Sequence, residues 1–178
     1  MTGVSANYAQ ALYSLAKEDA ITQEVLEQIE VLDKAFTMEP KFLKLLSTPT
    51  LNKEERCQLL DDSLRGNMHP YVLNFLKILT QKGYVRHFGD CVRQYRQIYN
   101  EDHGIVCVTV TTAVEMTDQQ KEKLQNKLET VTGKTVYLQA KVNADCVGGV
   151  RLDYDGKRID GTIKSRLDTL RSQLLESR

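Results

Sequence analysis

The spacing of apolar residues changes once along this chain, near His103 and Gly104. Before that point apolar residues recur at intervals of three and four, which is the period of helices with one buried face. After it comes the run IVCVTVTT at 105–112, whose β-branched residues favour a strand. The sequence therefore predicts an α+β fold with two domains, a six-helix bundle at residues 1–102 followed by a small βαββα domain at residues 103–178.

Local signals mark helix ends in the first domain. Asn52 followed by Glu55 predicts a capping box that opens the fourth helix. Pro70 fits the first turn of the fifth helix, and Gly83 can end that helix in a left-handed conformation. A sixth helix is predicted to follow from Val85 onwards.

The second domain carries similar signals. Thr117 with Gln120 predicts a second capping box, and Gly133 stands where that helix should end. Two more strands are predicted near residues 134–142 and 147–154.

A tight turn at Asp155 and Gly156 then leads toward Ile159 and a last helix. Its apolar face comprises Ile163, Leu167, Leu170 and Leu174.

Charge is balanced over the chain, with 24 basic and 24 acidic residues, which excludes a purely electrostatic binder of nucleic acid or membrane. Residues 1–102 are slightly acidic and residues 103–178 slightly basic. A nucleic-acid-binding module that uses the basic C-terminal helix is the first alternative function. The basic residues around that helix are Lys157, Arg158, Lys164, Arg166 and Arg171.

Cysteine and histidine spacing predicts no catalytic, metal or cofactor site. No two cysteines form a CxxC pair, and the three histidines lie far apart with no nearby nucleophile. We expect all four thiols to be buried in a reducing cytosol. An enzyme that uses Cys146 is a second alternative, although the sequence offers it no partner base. The cysteines are Cys57, Cys91, Cys107 and Cys146.

The first ten residues lack the charged and apolar regions of a signal peptide, and no apolar run approaches the ~20 residues of a membrane span. We therefore expect a cytoplasmic location.

Two further segments each allow two interpretations. Gly148 and Gly149 precede a strand-like run, which favours a bulge or a close backbone approach over a ligand loop. The first helix mixes small residues with tyrosines in YAQALYSLA at 8–16, so this face either packs within its own bundle or receives a second helix.

The order of these features resembles the delta subunit of bacterial F-type ATP synthases, whose mitochondrial relative is the oligomycin-sensitivity-conferring protein. The resemblance covers nearly the whole chain. It is carried by YAQALYSLA at 8–16, NFLKILTQKG at 74–83, VCVTVTTAVEMTDQQKEKL at 106–124 and VGGVRLDYDGKRIDGTIKSRLDTLRSQL at 147–174.

The resemblance implies a non-catalytic stator subunit without a cofactor, on the cytoplasmic face of the cell membrane as a peripheral part of the ATP synthase. In that family the N-terminal domain binds the N-terminal segments of the alpha subunits of the catalytic head through its first and fifth helices. The C-terminal domain meets the peripheral stalk of b subunits, so that proton-driven rotation is coupled to ATP synthesis.

Residues carried over by position complete these expectations. The head-facing candidates are Tyr8, Ala9, Ala11, Leu12, Leu15, Asn74, Phe75, Lys77, Ile78 and Lys82. Signature positions with an expected structural role are Gly148, Gly149, Asp160 and Gly161. Where the family often has Gly-Arg after the fifth helix, this chain has Gly83 and Tyr84.

Overall fold

The computed structural model describes residues 2–48, 51–146, 148–154 and 157–162. The chain divides into two compact units, Met1–Tyr99 and Asn100–Arg178. The division lies three residues before the predicted boundary and falls inside the last helix of the first unit, which continues to Asp102.

The first unit is helical, and its longer helices bury residues that recur three or four apart. Helix α2, for example, buries Val25, Ile29, Leu32 and Phe36. A short 3₁₀ turn at Val85–His87 precedes the last helix, so that helix begins later than predicted. The helices are α1 (Thr2–Glu18), α2 (Thr22–Met38), α3 (Pro40–Ser47), α4 (Lys53–Leu64), α5 (Pro70–Lys82) and α6 (Phe88–Asp102).

The predicted helix ends of the first unit are confirmed. Asn52 Oδ1 accepts a hydrogen bond from the Glu55 N–H at 2.8 Å, and Glu55 Oε2 accepts one from the Asn52 N–H at 2.9 Å. Pro70 is the first residue of α5, and Gly83 follows its last turn in the left-handed region with a φ of 77°.

The second unit contains a four-stranded mixed sheet in the order β2-β1-β3-β4, with helix α7 between β1 and β2. Strands β1 and β2 are parallel, whereas β3 is antiparallel to both β1 and β4. The capping box of α7 and the left-handed Gly133 at its end are confirmed. The elements are β1 (Ile105–Thr112), α7 (Asp118–Thr132), β2 (Thr135–Val142), β3 (Val150–Tyr154) and β4 (Lys157–Asp160).

The α+β class agrees with the prediction, but the sheet has one more strand than expected. Strand β4 consists of four exposed residues without apolar alternation. Its extended conformation comes from pairing with β3. The predicted last helix, with Ile163 and Leu167, lies outside the described residues.

Alternation along β1 determines the core of the second unit. Val106, Val108 and Val110 point inward and pack with Val136, Leu124 and Leu128. Cys107 points the other way and is exposed, because successive residues of a strand face opposite sides. The prediction that all four thiols are buried is therefore wrong: Cys91 and Cys146 are buried, while Cys57 is half-buried.

Candidate functional site

One face of α1 is apolar and lies largely outside the core of the first unit, with Tyr8 at the border between them. Val4, Tyr8, Ala11 and Leu15 recur at intervals of four, three and four, so they form a single line along the helix, which we call the α1 stripe. Leu15 is 48% exposed, and Tyr8 is half-buried. The stripe is an apolar surface open to a partner.

A second line of exposed residues runs along α5, a helix that contacts α1. Asn74, Ile78 and Lys82 are each four residues apart and form the α5 stripe. Ile78 is 44% exposed. The two stripes lie on helices that contact each other. The α1 stripe is apolar, and the α5 stripe places Ile78 between the polar Asn74 and Lys82.

The predicted head-facing residues divide by burial. Ala9 and Leu12 of α1 and Phe75 of α5 lie in the core, where they hold the helices together. Lys77 is part-buried, and its Nζ lies 2.6 Å from Oδ1 of Asp61 in α4. The members that reach the surface are Ala11, Leu15, Asn74, Ile78 and Lys82.

A cavity of about 220 Å³ adjoins the α1 stripe. The rings of Tyr8 and Tyr84 form part of its wall, with centroids 6.2 Å apart. The cavity is lined by Val4, Ser5, Tyr8, Leu79, Tyr84, His87 and Cys91. Most of these residues are far apart in sequence.

The end of α5 explains why Tyr84 reaches this cavity. The Gly83 N–H donates to the Thr80 carbonyl at 3.2 Å, and the Tyr84 N–H donates to the Leu79 carbonyl at 2.8 Å. This pair of bonds is a Schellman motif, in which the residue after glycine packs back on the last turn. The sequence signal was Gly83 followed by an aromatic residue, but Tyr84 was not among the predicted contacts.

Burial keeps the Cys91 thiol in the cavity wall uncharged. Burial raises the pKa of the Cys91 thiol, an effect larger than the opposing hydrogen bond with Ser5. The thiol is therefore protonated at neutral pH and is a poor nucleophile. The neighbouring His87 Nδ1 lies 3.3 Å from an Asp90 carboxylate oxygen, and this pair faces no activated nucleophile.

The glycines of the second unit have steric roles. Gly149 has a φ of 89°, and a Cβ built there would lie 2.6 Å from the Gly161 carbonyl oxygen. The Gly161 N–H in turn donates to the Val150 carbonyl at 3.0 Å. Gly148 donates its N–H to the Cys146 carbonyl at 2.5 Å. The contacts of Gly149 and Gly161 hold the start of β3 against the residues that follow β4.

Asp160 orders the residues that follow β4. Its Oδ1 accepts hydrogen bonds from the Thr162 N–H at 2.9 Å and the Thr162 hydroxyl at 2.6 Å. These bonds, the hydroxyl first, lower the pKa of the Asp160 carboxyl. The signature residues therefore shape the backbone of the second unit.

Within the described ranges we find no cluster of three or more histidine, cysteine or acidic side chains suited to a metal. No described helix has the length and apolar content needed to span a membrane. His69 caps α5 by accepting from the Tyr71 N–H at 3.3 Å. Cys146 is buried, contrary to the exposure that the second alternative function requires.

The family model described as "ATP synthase delta (OSCP) subunit" matches residues 4–174 of the chain. The chain belongs to the ATP synthase delta (OSCP) subunit family. A delta subunit from Alkaliphilus oremlandii is 34% identical over 96% of this chain and 95% of its own. One from Lacticaseibacillus casei is 31% identical over 97% and 95%.

The fold has a counterpart among solved structures. A chain in the cryo-EM composite model of the Toxoplasma gondii mitochondrial ATP synthase hexamer superimposes with a TM-score of 0.75 at 20% identity. The match covers 96% of this delta-family chain and 97% of the other.

Family membership decides between the predicted functions. Delta (OSCP) subunits are non-catalytic stator components of the peripheral stalk of F-type ATP synthase, and this chain is one of them. Its partners are other subunits of that membrane-associated complex. The nucleic-acid alternative depends on a predicted basic helix whose residues after Thr162 lie outside the described ones, and no described contact favours it.

Proposed function

We propose that the first unit binds the N-terminal segments of the alpha subunits and that the second unit binds the b-subunit stalk, at the cytoplasmic face of the cell membrane. The observation that carries the first half of this proposal is the apolar α1 stripe beside α5, with its adjoining 220 Å³ cavity. Such a subunit prevents the catalytic head from turning with the central rotor, so that proton-driven rotation is coupled to ATP synthesis.

The α1 and α5 stripes suit an amphipathic partner helix. A helix with apolar residues at every third or fourth position presents a matching line of side chains to the α1 stripe. Covering the exposed halves of Leu15 and Ile78 contributes roughly 1 kcal/mol each from apolar burial. Asn74 and Lys82 lie at the edge, where polar contacts surround an apolar centre.

The cavity next to Tyr8 supplies an anchor point. Interfaces draw most of their binding energy from a few bulky side chains that enter closed pockets. This one has apolar walls from Val4 and Leu79 and two tyrosine rings. We expect one large apolar side chain of the alpha segment to occupy it.

The finer fold prediction belongs to the same proposal. We retain the six-helix bundle as the head-binding part and the βαββα arrangement, with β4 added, as the stalk-binding part.

Calorimetric titration of the full-length chain with a synthetic alpha N-terminal peptide tests the first half. Ala11→Glu and Leu15→Glu should each weaken binding at least tenfold, because a buried carboxylate faces apolar side chains without a partner. The matched control is Val31→Glu, at a residue 56% exposed on α2 and outside both stripes. Circular dichroism verifies that all variants fold. Equal affinities of Leu15→Glu and Val31→Glu would contradict the site.

Hydrogen exchange of the full-length chain tests the division of labour. Adding the alpha peptide should slow exchange within Met1–Tyr99, and adding the C-terminal segment of a b subunit should slow it within Asn100–Arg178. The reverse pattern, or protection of one unit by both ligands, would overturn the assignment of partners to units.

A further inference from the structure

Strand β2 is an edge strand of the sheet in the second unit, and it is paired only with β1 among the described residues. The Thr135 N–H donates inward to the Gly104 carbonyl at 3.1 Å. Backbone groups alternate in direction along such a strand, so the N–H and C=O groups of alternate residues from Val136 to Val142 point away from β1. We call this outer side of Thr135–Val142 the β2 edge.

Glu129 of α7 closes the beginning of the β2 edge. Its Oε1 accepts a hydrogen bond from the Val136 N–H at 3.1 Å, which shows that this N–H points outward. Further along the strand the outward N–H groups have no hydrogen-bond partner among the described residues. Such a row of open backbone groups is a template for an added strand. The open residues are Leu138, Ala140 and Val142.

The two faces of the sheet differ at the β2 edge, because successive residues of a strand face opposite sides. On the face that α7 covers, Leu138 packs against the core and Val142 is 58% exposed. On the other face, Tyr137, Gln139 and Lys141 are all exposed. A strand added here therefore meets apolar side chains on one face and polar ones on the other.

Charge at the β2 edge favours an acidic occupant. Lys141 is the one charged residue of β2, and it is exposed. A second copy of the chain fits poorly. The antiparallel self-pairing that uses all three open residues and avoids Glu129 sets two Lys141 side chains diagonally across from each other. Like charges on paired strands are destabilising, whereas a carboxylate opposite Lys141 is favourable.

We propose that the β2 edge binds an extended acidic segment of a partner protein, added antiparallel to residues 138–142. The backbone of the segment bonds to the three open residues, and its carboxylate lies opposite Lys141. Apolar residues on its other face lie opposite Leu138 and Val142. Antiparallel pairs are slightly more stable per residue than parallel ones. Binding at this edge does not depend on which ATP synthase subunit meets the second unit.

An NMR titration of the isotope-labelled full-length chain with the capped peptide acetyl-Val-Glu-Val-Thr-Val-amide tests the proposal. The amide signals of Leu138, Ala140 and Val142 should shift, and at saturation their exchange with solvent should slow at least tenfold, because these N–H groups gain acceptors. The amides of Gln139 and Lys141 already face β1, so their exchange should change little. Equal slowing at all five residues, or no shift at millimolar peptide, would overturn the proposal.

A proline variant tests the backbone contact directly. Ala140→Pro removes one outward N–H but no bond to β1, a change that edge strands tolerate. It should weaken peptide binding at least tenfold and leave thermal unfolding of the chain nearly unchanged. Unchanged binding by this variant would contradict strand addition.

A peptide with lysine in place of glutamate tests the charge. It should bind about fivefold more weakly, because it sets a like charge opposite Lys141. Lys141→Gln should remove this difference between the peptides, whereas the matched control Lys134→Gln, at an exposed lysine just before β2, should retain it. Equal binding of both peptides to the wild-type chain would overturn the acidic partner. Shifts at the β2 edge that grow with protein concentration in the absence of peptide would assign it to a second copy, which also overturns the proposal.

Discussion

Gly149 and Gly161 approach so closely that a side chain at Gly149 would lie 2.6 Å from the carbonyl oxygen of Gly161. The same Gly149 has a φ of 89°, a conformation that residues with a Cβ rarely adopt. Two independent restrictions therefore require glycine at this position, and neither involves a ligand.

Gly149→Ala should destabilise the second unit by about 2–3 kcal/mol, since it combines backbone strain with a steric clash. Gly133→Ala is the matched control, because Gly133 also has a positive φ, 65°, but has open space around it. We expect a cost of about 1 kcal/mol there. Urea unfolding measures both, and equal losses would contradict the role of the contact with Gly161.

Acid should weaken the second unit through Asp160. Its pKa is lowered in the folded state, so its contribution to stability is complete above the ordinary value of 3.8 and is lost as pH falls through the lower folded pKa. Thr162→Val removes the hydroxyl that contributes most to this shift. Denaturant unfolding between pH 5 and 2 should therefore show a smaller acid-induced loss in the variant. Identical pH profiles would count against this account.

Gly83→Ala should lower the stability of the first unit by about 1 kcal/mol, because the new Cβ disfavours the left-handed end of α5. It should also weaken alpha-peptide binding, since the Schellman motif positions Tyr84 at the cavity. Gly3→Ala, inside α1 with no atom within 4 Å, is expected to be neutral or slightly stabilising. Thermal unfolding and titration of both variants would reveal a failure of either expectation.

Alkali should destabilise the first unit through the ionisation of Tyr71. Its hydroxyl donates to Asp19 Oδ2 at 2.5 Å, and this bond, followed by the charge of Asp19, raises the pKa of Tyr71. A raised folded pKa means that the stabilisation is complete below the ordinary value of 10.0 and is lost as pH rises through the folded pKa.

The difference in absorbance at 295 nm between wild type and Tyr71→Phe isolates this group during a titration from pH 8 to 12. Burial also raises the pKa of Tyr95, but that contribution is common to both proteins and cancels. A midpoint at or below pH 10 in the difference curve would exclude the predicted effect of Asp19.

Sequence predicted those parts of the fold that depend on neighbours along the chain. The capping boxes at Asn52 and Thr117 and the helix end at Gly83 each need only a few adjacent residues. Strand β4 was missed because its four exposed residues carry no period of their own, and its pairing with β3 supplies its order.

The candidate surface was only partly accessible from sequence. Matching positions to a family identifies the helices α1 and α5 but not which side of each faces the core, so Ala9, Leu12 and Phe75 were included although they are buried. The cavity between Tyr8 and Tyr84 requires tertiary contact, because those residues are far apart in sequence. Helix periodicity alone would have added Val4, which continues the α1 stripe.

Strand β1 is the first strand after α6, and it is paired along eight residues with β2 and along five with β3. A pull on the chain at Ile105 along the strand axis therefore loads many backbone hydrogen bonds in shear at once, rather than opening them one by one. Survival under force depends on the rate of unfolding rather than on equilibrium stability. For a stator component, this central strand gives the second unit mechanical resistance at the point where the chain enters its sheet.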